Sequence, residues 1–299
     1  MRWRWLSLEC MNTPTDASPD PTGLAHNILP AIGADTALFL DFDGTLVDLA
    51  STPESVRVPP KLVSLLAALH TQLGGALAIV SGRKLSDLDH FLVPLQLPTA
   101  AEHGACYRQH GSSGEGTDNA VQQLLVLPDF QALAPNVFAL AARHPGLQLE
   151  AKSSCLALHY RHAPELEEEA RLVMQDATAR APGMALMAGK RVFEIKPAHV
   201  SKGQAIADFM QHPPFAGRRC MFVGDDVTDE AGFAAVRALG GDSIKVGPGD
   251  TAAACRTDSP GAVRQWLNQC STALAARAHA HPATLPGPTS QTFSESLHP

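Results

Sequence analysis

The 299-residue chain lacks the features that mark membrane-spanning, disulfide-stabilised and nucleic-acid-binding proteins. No apolar run approaches the ~18 residues of a membrane span, and the N-terminus lacks the apolar segment and cleavage site of a signal peptide. Its six cysteines are scattered without a Cys-x-x-Cys pair, which argues against a disulfide framework or structural zinc site. The net charge of −7 argues against general attraction to nucleic acid or anionic membranes. We therefore predict a reduced, cytoplasmic protein.

Four apolar runs each end in a polar cluster. They cover residues 37–40, 76–80, 220–223 and 244–246. Apolar runs without alternation, separated by amphipathic helices such as residues 59–70, predict a parallel sheet that is covered on both faces. Ligands of such sheets bind beyond the carboxyl ends of the strands, so Asp41, Ser81 and Asp225 are predicted to share one crevice.

The pattern of residues 113–195 differs from the rest and predicts a helix, a hairpin, a second helix and a second hairpin. This order predicts a small α+β insert with an antiparallel sheet that lies over the strand ends of the core. The predicted fold class is thus α/β, with a Rossmann-like core and a smaller inserted α+β cap. The predicted segments are a disordered leader over residues 1–33, the core over 34–112 and 196–272, the cap over 113–195 and a disordered tail over 273–299.

The segment Asp41-Phe42-Asp43-Gly44-Thr45-Leu46 follows the first apolar run. The carboxylate of Asp41 can attack phosphorus and become an acyl phosphate, which splits a hydrolysis into two easier steps. Asp43 can protonate the leaving oxygen and then deprotonate the attacking water. A simple Asp-Gly turn is the better reading of a lone Asp-x-Asp-Gly. The full string after an apolar strand instead favours a reaction centre.

A second acidic cluster, Gly224-Asp225-Asp226-Val227-Thr228-Asp229-Glu230, follows the third apolar run. Mg²⁺ prefers hard oxygen ligands and takes one or two carboxylates together with phosphate and water. The carboxylates of Asp41 and Asp225 and the backbone carbonyl of Asp43 fit that need, and Asp229 can orient a bound water. A solvated helix N-terminus explains the cluster equally well by itself. Its combination with the Asp41 segment favours a metal site.

Ser81 and Lys202 are candidates for binding a phosphoryl group. Ser81 follows an apolar run and precedes a predicted helix, so its hydroxyl and the nearby amides can bind phosphoryl oxygens. Lys202 can supply a positive charge to the same group. A Ser-Gly turn and a surface lysine are common, and spacing alone promotes neither residue.

The predicted cap carries charged residues with the periodicity of strands. Glu150 and Lys152 lie two residues apart in the first hairpin, so they share one face opposite Leu149. Lys190 and Glu194 lie four residues apart in the second hairpin, so they are also predicted to share one face. A sheet with one apolar face and one face of mixed charge suits a lid over a hydroxyl-rich sugar. A polar face in contact with water explains the charges alone at least as well.

The ordered clusters from Asp41 to Leu46, at Ser81, at Lys202 and from Gly224 to Glu230 resemble the haloacid-dehalogenase superfamily of phosphohydrolases. Within it, the chain is similar to trehalose-6-phosphate phosphatases over about residues 35–270. The motifs that carry this narrower resemblance are Val80-Ser81-Gly82-Arg83, Glu102-His103-Gly104, Glu150-x-Lys152, His159-Tyr160-Arg161, Gly189-Lys190-x-x-x-Glu194 and Gly224-Asp225-Asp226-x-Thr228-Asp229-Glu230.

This resemblance implies Mg²⁺-dependent hydrolysis of trehalose 6-phosphate, a small-molecule substrate, with no nucleic-acid or membrane partner. The implied catalytic residues are the nucleophile Asp41, the general acid/base Asp43, and Ser81 and Lys202 as phosphoryl ligands. The implied metal ligands are Asp41, Asp43 and Asp225. The implied cleft residues are Arg83, Glu102 and His103, and those that hold the disaccharide are Glu150, Lys152, Lys190 and Glu194.

Three alternatives stay open on the sequence. A related phosphatase could act on sucrose phosphate or a mannosyl phosphate ester. A phosphotransferase or mutase could pass the phosphoryl group from Asp41 to a sugar instead of water. A non-catalytic receiver module could present a phosphorylatable aspartate to a partner, although the large insert and Asp43 argue against it.

Overall fold

The computed structural model describes residues 29–50, 52–109, 121–123, 129–151 and 155–280. The described strands form two sheets. The larger sheet contains β1 (Thr36–Leu40), β2 (Leu77–Val80), β3 (Thr99–Ala101), β4 (Cys106–Arg108), β5 (Val121–Gln123), β10 (Arg219–Gly224), β11 (Asp242–Val246) and β12 (Cys255–Thr257). The smaller sheet contains β6 (Gln148–Ala151), β7 (Leu156–His159), β8 (Met184–Gly189) and β9 (Val192–Pro197).

Helices connect and cover these strands. They are α1 (Leu62–Gln72), α2 (Leu85–Leu92), α3 (Phe130–Leu133), α4 (Pro135–Arg143), α5 (Glu167–Ala179), α6 (Lys202–Phe209), α7 (Glu230–Ala238) and α8 (Pro260–Ala280). In the core, α1 packs against α8 and α6 packs against α7. Helix α1 buries Leu62, Leu66 and Leu69, which follow the spacing of one helical face.

The large sheet has the strand order β12-β11-β10-β1-β2-β3-β4-β5. The strands from β12 to β3 are parallel, and β4 and β5 add an antiparallel edge. All residues of β1 are buried, so both faces of the sheet are covered at its centre. The chain continues from β1 to β2 on one side, while β10 pairs on the other. That strand order opens a crevice beyond the ends of β1 and β10.

The small sheet is antiparallel with the order β6-β7-β9-β8. Its apolar face packs against α4 and α5 and forms a second buried cluster, separate from the main core. Members of this cluster include Leu140, Leu156, Leu158, Met174, Phe193 and Ile195. The predicted α/β core with a smaller α+β unit is thereby confirmed. The antiparallel edge was not predicted, because strands of three residues are too short to show a period.

The segment limits differ from the predictions in several places. Ile32 falls in the predicted leader but is buried in the main core. Strand β5 pairs within the large sheet, although the insert was predicted to begin at residue 113. Helix α8 continues to Ala280 through the predicted start of the tail at residue 273, because Leu274 still packs against the core. At the two ends of the core, Ile32 and Leu274 are single buried apolar side chains whose immediate neighbours are not buried, and such contacts leave no period in the sequence.

The described residues bear on the predictions about membrane-spanning segments and about cysteines. None of their helices combines the length and apolarity that crossing a membrane requires. The cysteines among them, at positions 106, 155, 220, 255 and 270, are free thiols.

Candidate active site

The carboxyl ends of β1 and β10 bring Asp41 and Asp225 together. The two strands pair with Leu40 opposite Val223, and the amide of Asp41 donates to the carbonyl of Val223 at 3.0 Å. Both aspartates are buried, yet both line one cleft. Ser81, immediately after β2, lies in the same cleft, so the three residues predicted to share a crevice do so.

Two glycines permit the close approach of these strand ends. Gly44 has a φ of 75°, and a Cβ atom there would lie 2.3 Å from Oδ2 of Asp225. At Gly224, a Cβ atom would lie 2.4 Å from Cγ of Asp229. A larger residue at either position would therefore push a carboxylate out of the cluster.

Lys202 stands at the centre of the buried charges. It is the first residue of α6, which Ser201 caps by accepting a hydrogen bond from the amide of Gln204. Its Nζ donates to Oδ1 of Asp41 at 2.7 Å and to Oδ1 of Asp229 at 2.6 Å. Burial alone would lower the pKa of Lys202, but these two carboxylates raise it well above its ordinary value. Lys202 is therefore a permanent positive charge beside the proposed nucleophile.

Asp229 holds the loop that carries Asp225. Its Oδ2 accepts from the amide of Asp225 at 2.9 Å and from the amide of Asp226 at 2.8 Å, while its Oδ1 accepts from Lys202. Asp229 is completely buried. From the sequence, the predicted role of Asp229 is only to orient a bound water. Its four-residue spacing from Asp225 is the signal that could have suggested this loop-closing role.

Three carboxylates form a group whose chemistry suits a hard divalent cation. One oxygen each of Asp41, Asp225 and Asp229 lie within 4.8 Å of one another. Burial raises the pKa of Asp41 well above its usual range, although Lys202 opposes the shift, so a further positive charge would favour the ionised form. Oxygen donors at this density fit Mg²⁺.

Asp43 does not direct its carboxylate to this group. Nε of Arg83 donates to Oδ2 of Asp43 at 2.5 Å, and Nη2 donates to Oδ1 at 2.7 Å. The Arg83 guanidinium also lies 5.7 Å from the ring centre of Phe42 and 5.0 Å from that of Phe91. Because both carboxylate oxygens accept from Arg83, the part of Asp43 that can bind a metal is its backbone carbonyl. A role as general acid requires the ion pair with Arg83 to open.

The turn after β3 places His103 in the cleft. Both Glu102 and His103 have positive φ, 50° and 61°, which is uncommon for residues with side chains. The amide of His103 donates to the carbonyl of Ser81 at 2.9 Å, which ties this turn to the end of β2. Arg83 and His103 line the cleft as predicted. Glu102 is buried and is not among the residues that line the cleft.

The small sheet presents one polar row to the cleft. Glu150 pairs across the ladder with Ala157, and Ala157 with Glu194, so both glutamates lie on the same face. Oε2 of Glu150 lies 3.3 Å from Nε2 of His159 and accepts a hydrogen bond in the tautomer that has the proton on this nitrogen. Nε2 of His103 lies 2.9 Å from Oε2 of Glu194, which joins the core to the small sheet through a buried contact.

Two predicted sugar-binding residues, Lys152 and Lys190, do not lie on the described strands. Lys152 lies outside the described residues. Lys190 lies in the turn between β8 and β9 rather than on a strand, and its Nζ donates to Oδ2 of Asp225 at 2.5 Å. A contact between the predicted lid and a predicted metal ligand was not anticipated, because pairing across the cleft has no counterpart in sequence spacing.

The cleft between the two sheets has a volume of about 1200 Å³, including its open mouth. Residues that the sequence reading left out also line it. They include Gln148, His162, Met187 and Val192, together with His159, Arg161 and Thr228, which belong to the resemblance motifs without a predicted role. The alternation that identified Glu150 also identifies Gln148, and Met187 follows from the same rule on β8.

Solved structures of other proteins share this fold. The C-terminal domain of a trehalose-6-phosphate phosphatase from C. albicans superposes with a TM-score of 0.70 at 24% identity, covering 79% of this chain and 92% of that one. A phosphatase of the haloalkanoate (HAD) superfamily from Bacteroides thetaiotaomicron gives a TM-score of 0.54 at 18% identity, over 82% and 98% of the two chains. At these identities the likenesses show the fold alone, which this chain shares with a member of the HAD superfamily.

Sequence comparison narrows the class. The family model described as trehalose-phosphatase matches residues 39–259. The trehalose-6-phosphate phosphatase of Escherichia coli K12 is 42% identical over 247 residues, which cover 82% of this chain and 90% of that protein. The chain belongs to the trehalose-phosphatase family.

Proposed function

We propose that this protein hydrolyses trehalose 6-phosphate to trehalose and phosphate through a phosphoaspartate on Asp41. The observation that carries the proposal is the buried arrangement of Asp41, Lys202 and Asp225 at the floor of a cleft roofed by the polar face of the small sheet. The names of the relatives and the family support the same substrate.

In the first proposed step, a carboxylate oxygen of Asp41 forms a bond to phosphorus as the bond to the sugar C6 oxygen breaks. Lys202, already in contact with Asp41, offsets the negative charge that gathers on the phosphoryl oxygens. Ser81 lies in the same cleft and supplies a hydroxyl to that group. Once its ion pair with Arg83 has opened, Asp43 takes up a proton from solvent and gives it to the leaving oxygen.

In the second step, Asp43 removes a proton from water, which attacks phosphorus and releases phosphate from Asp41. The two-step path uses each carboxyl twice and returns both to their starting state. Bound Mg²⁺ would offset the repulsion between the Asp41 carboxylate and the phosphate. The residues that would hold it are Asp41, Asp225 and the backbone carbonyl of Asp43, with Asp229 bracing the Asp225 loop.

We assign substrate selection to the small sheet. Glu150 and Glu194 face the cleft from one row of its ladder, and glutamates accept hydrogen bonds from sugar hydroxyls. Arg83 and His103 border the same space from the core, as does Lys190 from the small sheet. Lys152, outside the described residues, completes the proposed set through the family resemblance. Because the sheet lies over the core strand ends, its closure would exclude bulk water from the phosphoaspartate.

The proposed setting is the cytoplasm, with a small-molecule sugar phosphate as the substrate. Support comes from the free described cysteines and the acidic net charge.

Phosphate release tests the proposal directly. Trehalose 6-phosphate, sucrose 6-phosphate and glucose 6-phosphate are compared at equal concentration, each with Mg²⁺ and with EDTA. We expect Mg²⁺-dependent release that is greatest from trehalose 6-phosphate. Preference for another sugar phosphate would overturn the substrate, and release that is unaffected by EDTA would overturn the metal dependence.

A further inference from the structure

Lys190 connects the small sheet to the acidic cluster of the core. It lies at the tip of the β8–β9 hairpin, where the next residue, Arg191, has a φ of 66°. Its Nζ donates to Oδ2 of Asp225 at 2.5 Å and to the carbonyl oxygen of Asp225 at 3.3 Å. The Lys190 side chain is 49% exposed, whereas that of Asp225 is 7% exposed. A lysine from the cleft surface thus reaches a buried carboxylate of the other sheet.

Two lysines pair with the carboxylates of the cluster, while a third, Lys245, donates to the backbone carbonyl of Asp225. Lys202 contacts Asp41 and Asp229, and Lys190 contacts Asp225. Lys202 is 3% exposed and belongs to a core helix, so it is a fixed part of the site. Lys190 is held by a hairpin turn and is half exposed, so it can leave Asp225 without unfolding the core.

We propose that Lys190 and the divalent cation are alternative counter-charges for Asp225, and that binding of the cation releases Lys190 into the cleft. An ammonium group and a divalent ion repel each other strongly at the short distances that sharing one carboxylate imposes. The released lysine would then be free to meet the sugar. This inference rests on the proposed metal site, and it adds an order of events: cation first, sugar contact by Lys190 second.

The release also couples the metal site to the hairpin. The bond from Lys190 to Asp225 restrains the turn between β8 and β9 against the core. When the cation takes Asp225, that restraint is lost and the hairpin gains freedom until substrate binds. Apart from Lys190, the contact between His103 and Glu194 and that between Lys84 and the carbonyl of Ala151 still join the two sheets.

Substitution of Lys190 separates this competition from a merely structural contact. Lys190→Met keeps the apolar stem and removes the charge. We expect the variant to bind Mg²⁺ about tenfold more tightly than the parent protein, because the competing charge is gone. The measurement is calorimetric titration of the full chain with Mg²⁺ in the absence of substrate. Equal or weaker Mg²⁺ binding by Lys190→Met overturns the proposal.

Lys84→Met is the matched control. Lys84 also donates a hydrogen bond from one sheet region to the other, to the carbonyl of Ala151 at 2.8 Å, but contacts no carboxylate of the cluster. Its Mg²⁺ affinity should equal that of the parent protein. An equal gain in this control would mean that loosening the two sheets, rather than freeing Asp225, strengthens metal binding, and it too would overturn the proposal.

Hydrogen exchange supplies a second readout without substrate. In the parent protein, Mg²⁺ should accelerate amide exchange in residues 187–193, and in Lys190→Met the same amides should exchange quickly with or without Mg²⁺. No Mg²⁺ effect on the parent hairpin contradicts the release. Failure of the proposed function is recognised separately, as absence of phosphate release from trehalose 6-phosphate in a protein that still binds Mg²⁺.

Discussion

The large sheet and the small sheet contribute polar residues to one cleft in two different ways. At the large sheet, Asp41, Lys202 and Asp229 are at most 4% exposed and are joined by hydrogen bonds of 2.6–2.7 Å. At the small sheet, the side chains of His159 and Glu150 are each 24% exposed and lie 3.3 Å apart. The core therefore holds a rigid group of charges, whereas the small sheet is looser and wetter around Glu150, although its Glu194 is buried against His103.

This difference matches two separate demands. Phosphoryl transfer requires charges held in fixed positions, because a carboxylate or ammonium that must reorganise loses its electrostatic advantage. Sugar recognition instead uses several moderate hydrogen bonds, and no single one of them decides the rate. Variants of the core should consequently harm every phosphate ester alike. Variants of the small sheet should harm trehalose 6-phosphate selectively and spare a small aryl phosphate.

Asp41→Asn should produce the largest effect. The substitution keeps the shape but removes the nucleophile, so turnover of both trehalose 6-phosphate and an aryl phosphate should fall by about 10⁵-fold. Phosphate release and circular dichroism check the activity and the fold. Asp48→Asn, seven residues on and exposed, is the control and should be fully active. Substantial Mg²⁺-dependent activity in Asp41→Asn would contradict the proposed phosphoaspartate.

Lys202→Met should rank second and act on both substrates. Loss of the buried positive charge should lower turnover by about 10³-fold, in line with removal of a charge-stabilising donor. It should also lower the free energy of unfolding by about 3 kcal/mol, because Asp41 and Asp229 are left buried without their common partner. Denaturant unfolding measures this loss. The exposed lysine at position 61 provides the control, Lys61→Met, which should change neither quantity.

The stability of Lys202→Met should depend on pH differently from that of the parent protein. Burial already raises the pKa of Asp41 in the presence of Lys202, and removing Lys202 should raise it further. A carboxyl whose pKa is higher in the folded state binds protons preferentially when folded, so its contribution to stability grows as the pH falls. Lys202→Met should thus recover part of its lost stability between pH 8 and pH 5, relative to the parent protein. A constant difference across that range would show that Asp41 stays ionised.

Glu194→Gln should have the next largest effect, and it should be the first variant whose losses differ between trehalose 6-phosphate and the aryl phosphate. It removes the charge from the buried contact with His103. We expect kcat/KM for trehalose 6-phosphate to fall about 30-fold, the value of a charge-assisted hydrogen bond, with the aryl phosphate nearly unaffected. Glu168→Gln, on the exposed face of α5, is the matched control. Equal losses on both substrates would remove Glu194 from sugar recognition.

His159→Asn should give the smallest measurable effect. His159 contacts Glu150 at 3.3 Å and lines the cleft, so its loss should raise KM for trehalose 6-phosphate about fivefold, as expected for one neutral hydrogen bond. The value of kcat should stay within error. Steady-state kinetics on the two substrates distinguish this outcome from a loss of kcat, which would place His159 closer to the chemistry.

Prediction from the sequence succeeded where periodicity and strand order carry the information. Buried strands such as β1 and β10 stand out as continuous apolar runs, and the rule that ligands bind beyond parallel strands brought Asp41 and Asp225 together. Alternation within each hairpin predicted a charged face of the small sheet, and the register of β6, β7 and β9 puts Glu150 and Glu194 on one face. The short strands β4 and β5 and the last turns of α8 were missed, because contacts elsewhere in the fold maintain them.

The sequence by itself determined the α/β class, the acids at the strand ends and the charged face of the small sheet, since these follow from local period and chain order. Only the tertiary structure decided the partners: Arg83 for Asp43, Asp229 as the second partner of Lys202, and Lys190 for Asp225. The physical reason is that an ion pair forms between whichever charged groups the packed elements bring within about 4 Å. That distance depends on how two sheets meet, which no spacing along the chain records.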